Sequence, residues 1–381
     1  MWCKLGLALL VILALGTFGI AEGNIKIGLF VPLTGFAAAD GHSALVGAQI
    51  AVDLINAAGG INGRMVELVY YDDAARADQA SAIARKLIEQ DQVVIGISGS
   101  YSTPTRAAAA IFQQAGVPMI SAYAIHPSII ETGHLIFRVG MGAPVEGIAG
   151  GHLAVEKLGA HRIAILSMDN DFGVSLSEYF KQTVLGLGAE IVFEKRYSLG
   201  ESEFREVLSS IRGANPDLIW ATAYYAGAAN IVSQARELGI TATILGQEGY
   251  DSPKFIELAG EAAEGVIIVT DLNRDSERPV VQQFLAEFQA RAGIPADMVG
   301  ASAFDAVKVA AYALAQVGTD PEDIAAAING IRHMDDVVTG PFYAFLGREA
   351  IRPVEVQIVQ GGAFHFFHTY TDPTIIIPPG L

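Results

Sequence analysis

The chain has almost no cysteine. The single one, Cys3, stands near the start of 381 residues. A framework of disulfides is excluded, and so is thiol chemistry in any mature form that lacks the first residues. Charge is also scarce, at 17% of residues, and 24 basic residues face 41 acidic ones. A net charge of −17 argues against nucleic acid as a partner, because phosphate binding needs clustered Lys and Arg. It also argues against an anionic membrane surface. No GxSxG, P-loop, HExxH or paired CxxC occurs, so neither a cofactor nor a metal is expected, and an enzyme is disfavoured. Asp169-Asn170-Asp171 hints at a calcium loop but lacks the remaining ligands, and it reads as a polar loop. Asp72 and Asp73 are adjacent on a strand and point to opposite faces, so they read as a strand-end cap rather than a catalytic pair. The eight histidines do not cluster.

Apolar residues are plentiful, and the length suits two domains. The one long apolar run outside the globular pattern is at the N-terminus. Lys4, the stretch Leu5 to Leu15, and Gly19 and Ala21 form a secretory signal pattern. Residues 1–21 are therefore expected to be removed on export to the periplasm. Cys3 precedes the apolar run, where a lipid-anchored cysteine would follow it.

From Ile25 onward, short β-branched runs alternate with helical patterns. That alternation predicts α/β architecture with doubly wound parallel sheets. The stretch Gln92 to Pro127 carries the clearest unit. A strand over Val93–Ile97, a helix over Ala107–Gln114 ended by Gly116 and a strand over Val117–Ile120 form one unit, and each strand ends in a hydroxyl-rich loop, Ser98–Thr103 and Ser121–His126. Ligands in such sheets bind beyond the carboxyl ends of the strands. Free N–H groups at the start of the middle helix favour an anion, and Ser102 stands there with a hydroxyl. An ordinary helix cap is the alternative reading of Ser102. Around Phe137–Pro144 the pattern restarts and runs through a second set of strands and helices, with late strands at Val354–Val359 and Phe364–Phe367.

Several stretches stand out in order: PLTG at Pro32–Gly35, INAAGGINGR at Ile55–Arg64 and YDD at Tyr71–Asp73, then GVPMIS at Gly116–Ser121 and LGQEGY at Leu245–Tyr250. Together the sequence resembles the leucine/isoleucine/valine-binding protein family, the type I periplasmic solute receptors of ABC importers. The resemblance implies two Rossmann-like lobes joined by three crossovers, closing on a small-molecule ligand. Lobe one is expected to span 24–142 plus 273–347, lobe two 143–272 plus 348–370, with an irregular tail over 371–381. The implied partner is an inner-membrane ABC permease, and a monomer is expected. Ser102 matches the family's carboxylate-binding serine, and Glu248 its acid for the ligand ammonium. Phe172 and Tyr224 match aromatic lining residues, although plain core is the alternative for both. Tyr101 and Tyr123 flank the matched loops and join them as candidates. Two positions depart: Tyr123-Ala124-Ile125 stands where the family usually reads Ala-Ala-Thr, and Asp40 replaces a tyrosine. Ile125 is expected to offer the ligand extra apolar surface. The resemblance implies a small polar solute, foremost a branched-chain or other apolar amino acid; relatives of this fold also take amides, urea-like solutes and aromatic acids, and a ligand-sensing regulator of the same fold is the other alternative.

Overall fold

The computed structural model describes residues 23–381, so the expected signal sequence lies outside the described residues. The first half builds β1 (Ile25–Val31), α1 (Ala38–Ala57), β2 (Val66–Asp72), α2 (Ala77–Glu89), β3 (Ile95–Ser98) and α3 (Ser102–Ala115). It continues with β4 (Met119–Ser121), α4 (Ser128–Glu131) and β5 (Ile136–Arg138). The chain then crosses to α5 (Ala143–His152), β6 (Arg162–Met168), α6 (Asp171–Gly186), β7 (Glu190–Tyr197), α7 (Arg205–Ala214) and β8 (Leu218–Ala221). There follow α8 (Tyr225–Glu237), β9 (Thr243–Gly246), α9 (Pro253–Ala259) and β10 (Ile267–Thr270). The rest comprises α10 (Pro279–Ala292), α11 (Met298–Val317), α12 (Pro321–Asn329), β11 (Ala344–Leu346), β12 (Glu349–Ile351), β13 (Val354–Gln360), β14 (Ala363–Tyr370) and α13 (Pro373–Ile376).

These strands form two sheets of seven. One runs β11-β12-β5-β4-β3-β1-β2 and the other β14-β13-β10-β9-β8-β6-β7. In each sheet the first strand to enter pairs in parallel on both sides, β1 with β2 and β3, β6 with β7 and β8. That is the point at which the winding reverses and helices part to leave a crevice. The central strands are buried on both faces, which is why β3 and β8 read as apolar runs without alternation.

Two boundaries differ from expectation. The strand after Gly347 does not leave the first sheet: β12 pairs in parallel with β5 through Glu349 and Arg138. The chain passes to the second sheet only after Ile351, and β13 pairs antiparallel with β10. Strands of three residues such as β11 and β12 carry too little periodicity to be read from sequence. The C-terminal tail is not wholly irregular, since Asp372 caps α13 by accepting from the Thr374 N–H at 2.8 Å.

Helix α11 is long and apolar enough to cross a membrane, but 83% of its apolar window is buried inside the protein. It packs along α1, and Gly47 makes the close approach feasible. A Cβ there would lie 1.9 Å from the Gly300 carbonyl oxygen.

The three crossovers are tied by buried ion pairs. Arg138, ending β5, donates to Glu349 of β12 at 2.9 Å and to the Ala124 carbonyl at 3.1 Å. Arg352, just after β12, is ion-paired with Asp271, just after β10. All four side chains are buried.

Candidate functional site

The loops at the carboxyl ends of both sheets meet at one small, partly open cavity. Its lining includes Asp40, Tyr101, Ser102, Tyr123, Phe172, Tyr224 and Glu248. Each comes from a segment that follows a strand end: Asp40 after β1, Tyr101 and Ser102 after β3, Tyr123 after β4, Phe172 after β6, Tyr224 after β8 and Glu248 after β9. Seven of the eight sequence candidates therefore converge. Ile125 does not. It is fully buried beneath the cavity loops and its carbonyl accepts from the Ala143 N–H at 3.0 Å, so it is core that anchors the first crossover. Extra apolar surface for a ligand cannot come from it.

Helix α3 begins at Ser102, two residues earlier than Pro104 alone suggests, with Tyr101 as its N-cap residue. No side chain caps it. Ser102 Oγ has no hydrogen-bond partner although the residue is only 3% exposed. The capping alternative is thus not the one the hydroxyl takes. The first turn of α3 leaves N–H groups without an intrahelical acceptor, and a negative group is favoured at such a helix start.

Glu248 is presented by a tightly fixed turn. Gln247 accepts from the Gly249 N–H at 2.8 Å and donates to the Ala223 carbonyl at 3.2 Å. Only glycine suits position 249, since a Cβ would sit 2.3 Å from that same carbonyl oxygen. The Glu248 N–H donates to Glu146 Oε1 of α5 at 2.8 Å. Glu248 Oε2 is buried and has no partner. Burial, and next the neighbouring Glu146 charge, hold the Glu248 carboxyl well above its ordinary range.

Rings close the cleft. Tyr101 of the first lobe stacks on Tyr224 of the second, with centroids 4.0 Å apart and planes at 4°. Phe172 packs on Tyr224 at 5.0 Å, and Phe36 lies 5.9 Å from Tyr101. The space left is about 20 Å³, room for roughly one water. An amino-acid-sized solute therefore enters only when this interlobe stack parts. Tyr123 is held aside by its hydroxyl, which donates to the Gly99 carbonyl at 2.7 Å.

Asp40 lies in the first turn of α1. Its Oδ2 accepts from the Tyr101 hydroxyl at 2.7 Å, while Oδ1 has no partner. Burial pushes its carboxyl up to about 7, opposed by the Tyr101 hydrogen bond and reinforced by Asp297 and Asp251.

Sequence reading missed Asp251, Met298 and Val299, which also line the cavity. Asp251 follows Glu248 in the same loop, so the acid-rich run after β9 was its signal. It is engaged by Arg274 and Thr270. Met298 and Val299 open α11, capped by Asp297, which accepts from the Gly300 N–H at 2.8 Å. An Asp before an apolar helical run is a legible start signal, but nothing local links it to a cleft. The lining holds three carboxylates and no Lys, Arg or His. Outside the cavity, Asp72 acts as the expected strand-end cap, accepting from the Leu33 N–H at 2.8 Å and the Thr34 hydroxyl at 2.6 Å. Asn170 caps α6, accepting from the Gly173 N–H at 2.8 Å.

The buried acids set a pH dependence. Burial raises Asp40 to about 7 and Asp297 and Asp305 to about 6. Each binds its proton more tightly in the folded chain than in the unfolded one, where a carboxyl titrates near 3.9. The stability they contribute is complete below about pH 4 and is lost as pH rises through 6 to 7. His126 and His368, lowered by burial, work in the opposite direction. The raised acids outnumber them, so the solute-free protein should show a higher urea midpoint at pH 5 than at pH 8. An equal or higher midpoint at pH 8 contradicts this.

Two doubly wound lobes with a polar, ring-walled cavity between them define a bilobal solute-binding protein. The periplasmic binding protein family profile matches residues 24–363, and the chain belongs to that family. It is 30% identical over 324 residues to the leucine-, isoleucine-, valine-, threonine- and alanine-binding protein of Pseudomonas aeruginosa, covering 84% of this chain and 86% of that one. It is 29% identical over 337 residues to the Leu/Ile/Val-binding protein of Escherichia coli K12, covering 86% and 88%. Among solved structures, a leucine binding protein from Thermotoga maritima superposes with a TM-score of 0.83 at 30% identity, covering 91% of this chain and 98% of that one.

Proposed function

We propose that the chain is an extracytoplasmic receptor that binds a small amino-acid-type solute between its lobes and delivers it to an ABC importer in the inner membrane. One observation carries this reading: Ser102 Oγ from the first lobe and Glu248 Oε2 from the second are both buried, both without a partner, and both line one cavity. Buried polar atoms are normally paired, and a pair left open on facing lobes suits a ligand with one acceptor end and one donor end. The carboxylate of an amino acid would meet Ser102 and the start of α3, and its ammonium would meet Glu248. The names of the relatives support the amino-acid class, and the N-terminal signal pattern supports export. An amide or urea-like solute is the second reading, favoured by a lining that offers acceptors but no cation. The same lining disfavours an aromatic acid, whose lone carboxylate would face three others. The receptor would act as a monomer, with no catalytic step.

A thermal-shift panel of amino acids, amides and aromatic acids tests the reading, because a ligand at 100 times its Kd stabilises by about 2.7 kcal/mol. Amino acids should give the largest shifts. Ser102→Ala should then weaken the best solute by about 1–3 kcal/mol, since an anionic group loses one hydroxyl donor but keeps the helix N–H groups. Shifts from aromatic acids alone would overturn the proposal.

A further inference from the structure

We infer that the solute carries a second cationic nitrogen, held by Asp40, so that the receptor prefers a short diamino acid over a neutral amino acid. This rests on the amino-acid reading above and names the class within it. Asp40 is 4% exposed, lines the cavity, and has one carboxylate oxygen satisfied by Tyr101 and the other by nothing. The acids around it are already engaged. Asp297 takes the Ser43 hydroxyl at 2.6 Å and the Gly300 N–H at 2.8 Å, and Asp251 is paired with Arg274. Among the cavity's carboxylates, only Asp40 and Glu248 keep an unpartnered oxygen, and they stand on opposite lobes.

A neutral amino acid answers one of these two carboxylates with its ammonium and leaves the other buried and half-satisfied, which is costly. Its own carboxylate cannot help, because it needs the donors at Ser102 and α3. A side-chain amine answers the second carboxylate and balances its charge. The Tyr101, Tyr123 and Tyr224 rings supply faces for the few methylenes between the two amines.

The experiment compares ornithine with norvaline, and 2,4-diaminobutyrate with 2-aminobutyrate, by calorimetry on the full mature chain. Each pair differs only by the side-chain amine. The diamino member should bind at least about 10-fold tighter, since a buried charge pair is worth more than one factor of ten. Asp40→Asn should remove most of that ratio, because a carboxamide carries no charge to pair with the side-chain amine. Tighter binding of norvaline than ornithine by the parent protein overturns the inference and leaves the amino-acid reading standing. Binding of none of the four overturns both. An unchanged ratio in folded Asp40→Asn overturns the assignment to Asp40. The parent ratio decides the solute class even if that variant fails to fold.

Discussion

Glu248→Ala is expected to abolish useful binding of the best solute from the panel while leaving the solute-free protein at least as stable as the parent. Truncating one partner of a buried charge pair costs roughly 2–5 kcal/mol, or about 30-fold to several thousand-fold in affinity. The second half of the expectation is what separates a binding role from a structural one. In the solute-free chain the Glu248 carboxyl is buried, lies beside Glu146, and has an unpartnered oxygen. Removing it relieves desolvation and like-charge repulsion and breaks no side-chain hydrogen bond. Its backbone N–H keeps its bond to Glu146. Calorimetry and urea unfolding on the same preparation check both halves. Parental affinity in the variant would mean that no cationic group of the solute faces the second lobe.

The second large effect concerns the crossovers. Arg352→Ala should destabilise the chain by about 3–5 kcal/mol, because it leaves Asp271 as a buried carboxylate without its counter-ion. The double replacement Arg352→Leu with Asp271→Leu should recover most of that loss, since removing both charges leaves none unpaired. Urea midpoints of the parent, single and double variants give the answer. A single variant as stable as the parent would mean that water or another group compensates Asp271. The pair joins the segment after β10 to the segment after β12, two of the three strands by which the lobes communicate. Arg138 and Glu349 join the first and third in the same way. The three connections between the lobes are thus tied to one another by buried, paired charges.

Much of this molecule was determined by local sequence. The β-branched runs after Ile25 and after Arg162, each followed by a helical pattern, required parallel sheets wound twice, because a parallel strand needs a covering helix on each face. The hydroxyl-rich loop before α3 and the acid after β9 marked two strand ends, and strand ends are where such sheets bind. Other features had no local signature. Strands β11 and β12 exist because Glu349 reaches Arg138, a contact 211 residues apart in the chain. Ile125 sits in a cavity loop by sequence, yet its side chain turns into the core, since a loop's φ and ψ values and not its position decide which way a residue points. The alignment of Tyr101 on Tyr224 is a property of two lobes meeting. So is the orphaning of Asp40, Ser102 and Glu248: whether a polar atom is satisfied depends on every neighbour in space. The sequence by itself determined two wound lobes and where their loops would gather. Only the tertiary structure decided which oxygens face the shared cavity without partners, because burial and pairing are set by contacts between segments far apart in the chain.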